Sequence, residues 1–195
     1  MAKQDPAAAK KARNKTIKWV ITVFLVTILV SGTISLVSDV VMEGSSIPVA
    51  FLILLLIILV GIVFDIIGMA VATADEKPFH SMAARKVPGA QESIRLLRNA
   101  ERVSSICNDV VGDICGVVSG SASATIAVQV ISNFDFSWPQ IVSLVMSSLA
   151  AGLTVGGKAI GKTFAVNSCT EIVHGVGKII YTLRHFPDMF RKKKK

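Results

Sequence analysis

The chain has 195 residues, 52% of them hydrophobic, and its mean hydropathy is +0.62. This composition excludes an ordinary water-soluble domain, and the apolar residues fall in continuous blocks rather than in stripes. The formal net charge is +8, but the lysines and arginines cluster beside the apolar blocks, which argues against a nucleic-acid-binding surface. The sequence therefore predicts an all-α, multi-pass membrane protein with four transmembrane helices and juxtamembrane amphipathic helices.

The chain begins with a basic, alanine-rich segment at residues 1–16, which predicts a disordered or loosely helical cytoplasmic tail. An apolar block follows at residues 17–37, and ~20 residues suffice for a helix to cross a bilayer. This block is longer than the ~7–15 apolar residues of a signal peptide, and no A-x-A cleavage site follows it. We therefore expect an uncleaved signal-anchor helix.

The second predicted span covers residues 47–73 and is almost pure hydrocarbon in its first half. Asp65 and Gly68 interrupt its second half. An acid and a glycine near one end of a long span indicate a locally opened helix that faces an internal cavity. The alternative is an acid that reaches water at the membrane interface, and the sequence leaves both interpretations open.

Residues 75–103 form a long polar, cytoplasmic juxtamembrane segment. Within it, residues 90–102 predict a helix with one apolar face and an opposite face that carries Arg95, Arg98 and Arg102. Such a basic amphipathic helix suits an anionic membrane surface. His80 has no second histidine or cysteine at ligand spacing, which favours a surface side chain over a metal ligand.

The third predicted span, residues 104–131, carries Asn108, Asp109 and Asp113 near its start. A carboxylate at mid-membrane costs about 2.5–3.5 kcal/mol, so two acids in one span favour a polar site inside the membrane. The alternative places both acids just inside the cytoplasmic interface, where they are hydrated. A ladder of glycines with a spacing of four lets another helix approach closely, which favours homodimerisation: Gly112, Gly116 and Gly120.

The fourth predicted span covers residues 139–156, and a second cytoplasmic juxtamembrane segment follows at residues 163–190. A basic tail occupies residues 191–195. Both short loops between spans lack lysine and arginine, whereas the two tails and the long polar segment hold nearly all of them. The positive-inside rule therefore predicts that both termini are cytoplasmic, and the lack of a transit peptide favours the plasma (inner) membrane.

Residues 156–163 match the phosphate-loop pattern G-x-x-x-x-G-K-[ST]. A phosphate loop follows a buried strand and needs a second, aspartate-bearing strand to hold magnesium. Here a membrane span precedes the motif and no βαβ pattern exists, which argues against nucleotide binding. The glycines instead predict a backbone break at the membrane face, with Lys158 and Lys162 reaching the cytoplasm or lipid headgroups.

No serine elbow, Cys–His pairing or HExxH motif is present, so we expect neither enzymatic activity nor a bound cofactor. The three cysteines show no CxxC spacing and no disulfide framework. What stands out is a set of oxygen-bearing side chains in two spans: Asp65, Asn108, Asp109 and Asp113. Hard cations such as magnesium prefer carboxylate and amide oxygens, but the same residue types also suit protons, sodium or the joining of helices.

The order of these features resembles the transmembrane domain of the CorC/cyclin-M (CNNM) magnesium transporters. The chain reads FDIIGMA at residues 64–70, SICNDVVGD at 105–113 and GKAIGKT at 157–163. The family has motifs like F-S-x-S-E-T-A, L-I-G-N-x-x-V-N and G-E-x-I-P-K-T in that order. The resemblance spans roughly residues 48–190 and implies that Asn108 coordinates the ion.

The chain departs from the family where Gly68, Gly112 and Lys158 replace polar or acidic motif residues, and we expect no counterpart of the family's cytoplasmic nucleotide-binding CBS module. We therefore expect Asp65 and Asp113 to supply oxygens in place of the missing ligands. The expected function is transport or binding of a divalent cation such as magnesium, as ligand or substrate. The expected partners are a homodimeric copy and anionic lipid headgroups. The alternative is a non-transporting membrane scaffold or partner subunit of the same fold.

Overall fold

The computed structural model describes residues 6–134 and 138–192, and these residues form helices joined by short connections, without strands. In chain order the elements are α1 (Pro6–Glu43), α2 (Ile47–Thr73), α3 (Lys77–Ala84), α4 (Ala90–Arg98), α5 (Ala100–Ser105), a π-helical segment (Ile106–Gly112), α6 (Asp113–Phe134), α7 (Pro139–Asn167) and α8 (Cys169–Lys192).

Four stretches of this fold are long and apolar enough to cross a membrane. They are Ile17–Met42, Ile47–Thr73, Ala100–Phe134 and Pro139–Asn167. The most apolar window of the first stretch is not buried at all within the chain, so its surface suits contact with lipid rather than water. The predicted all-α class with four membrane-length helices is therefore confirmed.

Helix α2 lies at the centre of the bundle and packs against α6, α7 and the π-helical segment, while α1 packs mainly on α6. We call the end of the bundle that carries the α1–α2 and α6–α7 connections the loop end. An apolar core fills this end, built from large and small side chains of all four long helices. Its buried members are Met42, Ala50, Leu54, Ile58, Ala122, Ile126, Ala127, Met146 and Ala150.

The opposite end, which we call the hairpin end, contains α3, α4, α5 and α8. A second apolar core lies there: Ala70, Val71, Phe79, Ile94, Leu97, Ala165 and Val173. Helix α4 packs closely on α8, where the buried Ser93 hydroxyl lies 3.0 Å from the carbonyl oxygen of Gly89 and 3.1 Å from that of Val173. Gly177 lies against Ser93 and Gly89 and leaves no room for a Cβ atom.

The backbone break predicted at residues 156–163 is wrong, and of the two interpretations left open for the second span the locally opened helix does not hold. Helix α2 continues through Asp65 and Gly68, and α7 continues through the glycine-rich residues 156–163 to end at Asn167. A glycine inside a helix costs only about 0.5–1 kcal/mol relative to alanine, and packing against a neighbouring helix outweighs that cost. The helix deviation lies instead in the third span, as the π-helical segment.

Other boundaries differ from the prediction by extension or division. Helix α1 begins at Pro6 and runs to Glu43, beyond the predicted apolar block at 17–37. The predicted basic helix at 90–102 is divided at Asn99 into α4 and α5. Residues 1–5, 135–137 and 193–195 lie outside the described residues, and they include parts of both predicted tails and of the short loop before the fourth predicted span.

Candidate functional site

A polar layer separates the two apolar cores of the bundle. It contains Asp65 of α2, Asn108 and Gly112 of the π-helical segment, Asp113 of α6 and Lys158 of α7. At 1.5 Å per residue, Asp65 lies about 27 Å along α2 from Ile47, and Lys158 lies about 29 Å along α7 from Pro139. The hydrocarbon core of a bilayer is ~30 Å thick. When one face of that core is aligned with the loop end, the polar layer lies near the opposite face.

Asp65 is the most deeply buried acid of the layer, with only 4% of its surface exposed. Its Oδ2 atom lies 3.5 Å from Nζ of Lys158, which forms an ion pair between α2 and α7. Its Oδ1 atom is buried and has no hydrogen-bond partner, and this atom lies over the backbone of Gly112. A carboxylate without water needs a compensating charge, which the Lys158 ammonium supplies.

Lys158 makes three polar contacts with the layer. Its Nζ atom donates a hydrogen bond of 3.2 Å to the carbonyl oxygen of Gly112, in addition to its contact with Asp65. The same atom lies 3.7 Å from Oδ1 of Asp113, whose side chain is 72% exposed. The prediction that Lys158 reaches the cytoplasm or headgroups is therefore wrong, whereas Lys162, one turn further along α7, is exposed.

Helix α7 reaches the layer because two of its glycines contact α2 directly. Gly157 lies against Ile62, and Gly161 lies against Ile66, so that a Cβ atom at either glycine would meet an isoleucine side chain. Small residues allow helix backbones to approach closely in membranes. This close approach brings the α7 backbone next to α2 and lets Lys158, between the two glycines, contact Asp65.

Asn108 is the second member of the layer with an unpartnered oxygen. Its Nδ2 atom donates to the hydroxyl of Ser104 at 3.3 Å, but its buried Oδ1 atom has no hydrogen-bond partner. That oxygen lies against Gly68 of α2. Asp65 and Asn108 therefore lie in the same interface, between α2 and the π-helical segment, each against a glycine of the facing segment.

The π-helical segment is a feature of the site that the sequence did not reveal. Single π-helical turns within α-helices are rare and frequently occur at functional sites. Here the segment Ile106–Gly112 carries both Asn108 and the Gly112 carbonyl that accepts from Lys158. A run of polar and small residues at the start of an apolar span is the sole hint in the sequence, and it does not specify this geometry.

Asp109 lies in a different environment. It is exposed and lines a groove of about 350 Å³ between α1 and the third span, together with Trp19 and Phe24. Close to the groove, the guanidinium carbon of Arg102 lies 5.7 Å from the centre of the Trp19 ring. Among residues 6–134 and 138–192, no three His, Cys, Asp or Glu side chains form a metal-ligand group, so Asp65, Asp109 and Asp113 do not converge.

The layer thus presents a cation position lined by oxygen atoms. The Lys158 ammonium is surrounded by carboxylate oxygens of Asp65 and Asp113 and by the carbonyl oxygen of Gly112. The amide oxygen of Asn108 lies against Gly68, one turn of α2 away from Asp65. Such an arrangement can hold a cation or can join three helices. Comparison with known protein families, with curated proteins and with solved structures finds no match for this chain.

Proposed function

We propose that this protein binds and transports a cation at the polar layer, with a divalent, magnesium-like cation as its substrate. One observation carries the proposal. Four buried side-chain oxygens among the described residues lack a hydrogen-bond partner, and two of them, Asp65 Oδ1 and Asn108 Oδ1, belong to this layer. A buried polar atom without a partner costs about 1–3 kcal/mol, and a hydrated cation would satisfy both atoms.

The chemistry of the available ligands suits a hard cation. Magnesium retains several of its waters and is held in proteins by one or two carboxylates, so Asp65 and Asp113 suffice as charged ligands. The Asn108 amide and the Gly112 carbonyl add neutral oxygens. The exposed side of Asp113 gives the site a route to water at the edge of the membrane.

The resemblance to the CorC/CNNM transporters supports the same class of substrate, because Asn108 falls on that family's ion-coordinating asparagine. Gly68 and Gly112 stand where that family has polar or acidic residues. Asn108 lies over Gly68, and Asp65 lies over Gly112. In this proposal, the oxygen atoms lost from one helix are supplied by a side chain from the facing helix. We further propose the plasma membrane as location, with both termini cytoplasmic.

Homodimerisation and contact with anionic headgroups complete the proposal. Gly116 and Gly120 of α6 have no atom within 4 Å of a built Cβ position, so the open side of this glycine ladder is free to receive another helix. Arginines near the hairpin end, including Arg95 and Arg98, are exposed and suit an anionic lipid surface.

Thermal unfolding of the protein purified in detergent tests the proposal. Magnesium, manganese or calcium, compared with sodium, should raise the unfolding temperature, since a ligand at 100 times its Kd stabilises by about 2.7 kcal/mol. Asn108→Ala and Asp65→Asn should abolish this stabilisation and divalent uptake into vesicles. Asn133→Ala, an exposed asparagine at the loop end, is the matched control and should retain both. Uptake that is unchanged in Asn108→Ala and Asp65→Asn would contradict the proposal.

The scaffold alternative is favoured by a different observation. The Lys158 ammonium already neutralises the buried Asp65 carboxylate and links α2 to α7 without any ion. If this is the whole role of the layer, no cation will stabilise the protein. Asp65→Asn will nevertheless lower its unfolding temperature, because the variant removes a link between helices.

A further inference from the structure

We infer that the Lys158 ammonium is a tethered cation that competes with the substrate for the oxygen atoms of the layer and sets the charge of the ion that they accept. This inference rests on the proposed function. The ammonium lies between Asp65 Oδ2, Asp113 Oδ1 and the Gly112 carbonyl oxygen, at 3.5, 3.7 and 3.2 Å. These are the oxygens that a bound metal ion would also use.

The charges of the layer make the competition selective. Two carboxylates and one ammonium leave a formal charge of −1, which a monovalent cation would neutralise. A divalent cation in the same place would leave a net positive charge next to the ammonium, and like charges repel strongly where little water screens them. With the ammonium withdrawn, the two carboxylates match one divalent cation. Divalent binding therefore requires that Lys158 leave the layer.

Lys158 is placed so that it can leave. Its side chain is 19% exposed, and its partner Asp113 is 72% exposed at the edge of the layer. A lysine has a long, flexible apolar stem that lets its ammonium move to a nearby interface while the stem stays on apolar surface. Lys162, one turn further toward the hairpin end, is already exposed. Asp65, in contrast, stays in place because it is buried and packed against Gly112.

The buried, unpartnered Oδ1 atom of Asp65 is the second observation that points to a ligand. The ammonium contacts Oδ2 and leaves Oδ1 without a hydrogen bond. An ion pair selected only to join α2 and α7 would satisfy both oxygens, since unsatisfied buried groups weaken the fold. The layer is therefore incompletely filled by Lys158 alone.

The test compares neutral and charged replacements of Lys158 in the full-length protein in detergent, by titration calorimetry with magnesium and with sodium. Lys158→Met and Lys158→Gln should tighten magnesium binding about tenfold or more, which equals about 1.4 kcal/mol or more. Lys158→Arg keeps the charge and should bind no more tightly than the unaltered protein. Lys162→Met removes a neighbouring exposed lysine and should change nothing.

A second measurement needs no variant and so does not depend on the folding of one. An amine-reactive acetylating reagent, followed by mass spectrometry, reports the accessibility of each lysine. Magnesium should raise the reactivity of Lys158 at least about threefold relative to Lys162, because the ion displaces the ammonium from the layer. Reactivity of Lys158 that is unchanged or reduced when magnesium is bound would overturn the inference.

The outcomes separate the inference from the proposed function. Magnesium binding that is equal in the unaltered protein and in Lys158→Met, but lost in Asp65→Asn, leaves the proposed function standing and overturns the inference. Magnesium binding that is present in the unaltered protein and tighter in the neutral Lys158 variants supports both. Binding that appears only in the neutral variants overturns the proposed function, since the unaltered protein then holds no divalent cation. Folded protein and folded Lys158→Gln that bind no cation overturn the proposed function, and the inference with it.

Discussion

The carboxylate of Asp65 occupies the space that a side chain at Gly112 would fill. The reciprocal relation holds one turn along, where the Asn108 amide occupies the space next to Gly68. Helix α2 and the π-helical segment thus each contribute one polar side chain and one glycine, and each glycine makes room for the polar side chain of the facing segment. The glycines are therefore as necessary to the layer as the oxygen-bearing residues.

A methyl group at Gly112 is the smallest change that tests this relation. Gly112→Ala should push the Asp65 carboxylate away from Lys158 and lower the free energy of unfolding by about 1–3 kcal/mol, the usual effect of overpacking a buried contact. Thermal or SDS-induced unfolding in detergent measures it. Any stabilisation by divalent cations should decrease in parallel.

Gly152→Ala is the matched control for Gly112→Ala. Gly152 lies within α7, and nothing approaches within 4 Å of a Cβ atom built there. Alanine is favoured over glycine inside a helix by about 0.5–1 kcal/mol, so this variant should be neutral or slightly more stable. If both alanine variants unfold at the temperature of the unaltered protein, Asp65 does not depend on the space at Gly112.

The ion pair between Asp65 and Lys158 should show strong energetic coupling. Lys158→Met leaves a buried carboxylate without a counter-charge and should cost about 3–5 kcal/mol. Asp65→Asn should cost less, about 1–3 kcal/mol, because the partly exposed ammonium keeps its contacts with Asp113 and the Gly112 carbonyl. The free energies of unfolding of the two single variants and the double variant measure the coupling.

In that cycle, the double variant Asp65→Asn/Lys158→Met should be more stable than Lys158→Met alone, because no buried charge is left unpaired. A coupling free energy of about 0.5–3 kcal/mol is typical of residues in direct contact. Strictly additive losses would mean that the two side chains do not interact in the folded protein. The same cycle with Lys162→Met in place of Lys158→Met should show no coupling, since Lys162 is exposed.

The spans of this protein are predictable because hydropathy and helix length are local properties of the sequence. The sharing of one interface by Asp65 and Asn108 is one of two arrangements that the sequence allows, since a polar group in an apolar span faces either the bundle interior or water at the membrane edge. Asp109 and Asp113 are exposed, and only the packing of the helices separates them from the buried pair. The function of that interface is not specified by the same argument. Residue types alone do not distinguish a cation ligand from a side chain that joins two helices.

The placement of Lys158 inside the layer is not predictable from its own sequence segment, because it depends on tertiary packing. Its contact with Asp65 requires that α7 approach α2 closely, which Gly157 and Gly161 allow by packing on isoleucines. One signal was available: counted from the loop end at 1.5 Å per residue, Lys158 lies about 29 Å along α7 and Asp65 about 27 Å along α2. Opposite charges at equal depth in two spans predict a pair.

The docking of α4 on α8 should depend on Gly177 and not on its neighbour Gly175. Gly177 contacts the Ser93 hydroxyl and the Gly89 carbonyl, whereas Gly175 has open space around it. Gly177→Ala should separate the two helices and lower stability by about 1–3 kcal/mol. Limited proteolysis of the α3–α4 connection and thermal unfolding report the change.

Gly175→Ala, two residues away on an exposed face of α8, serves as the control and should be cleaved at the rate of the unaltered protein. Ser93→Ala should lower the free energy of unfolding by about 1 kcal/mol, an effect between those of Gly177→Ala and Gly175→Ala. The variant removes one buried hydroxyl and its hydrogen bond to Gly89 or Val173. Equal cleavage of Gly177→Ala and Gly175→Ala would show that the close contact does not hold the hairpin end together.

The orientation of the bundle decides which compartment the polar layer faces, and cysteine labelling measures it. Two cysteine variants, Gly44→Cys and Gly175→Cys, are made in a background without the three native cysteines. Gly44 lies in the α1–α2 connection at the loop end and Gly175 lies on α8 at the hairpin end, and both positions have open space.

The loop-end connection at residues 44–46 has no lysine or arginine, whereas the hairpin end is rich in both. The positive-inside rule therefore predicts that an impermeant maleimide labels Gly44→Cys in intact cells and labels Gly175→Cys only after permeabilisation. Because Asp65 lies about 27 Å from Ile47, this result would place the layer at the cytoplasmic edge of the hydrocarbon core, and the opposite labelling would place it at the outer edge.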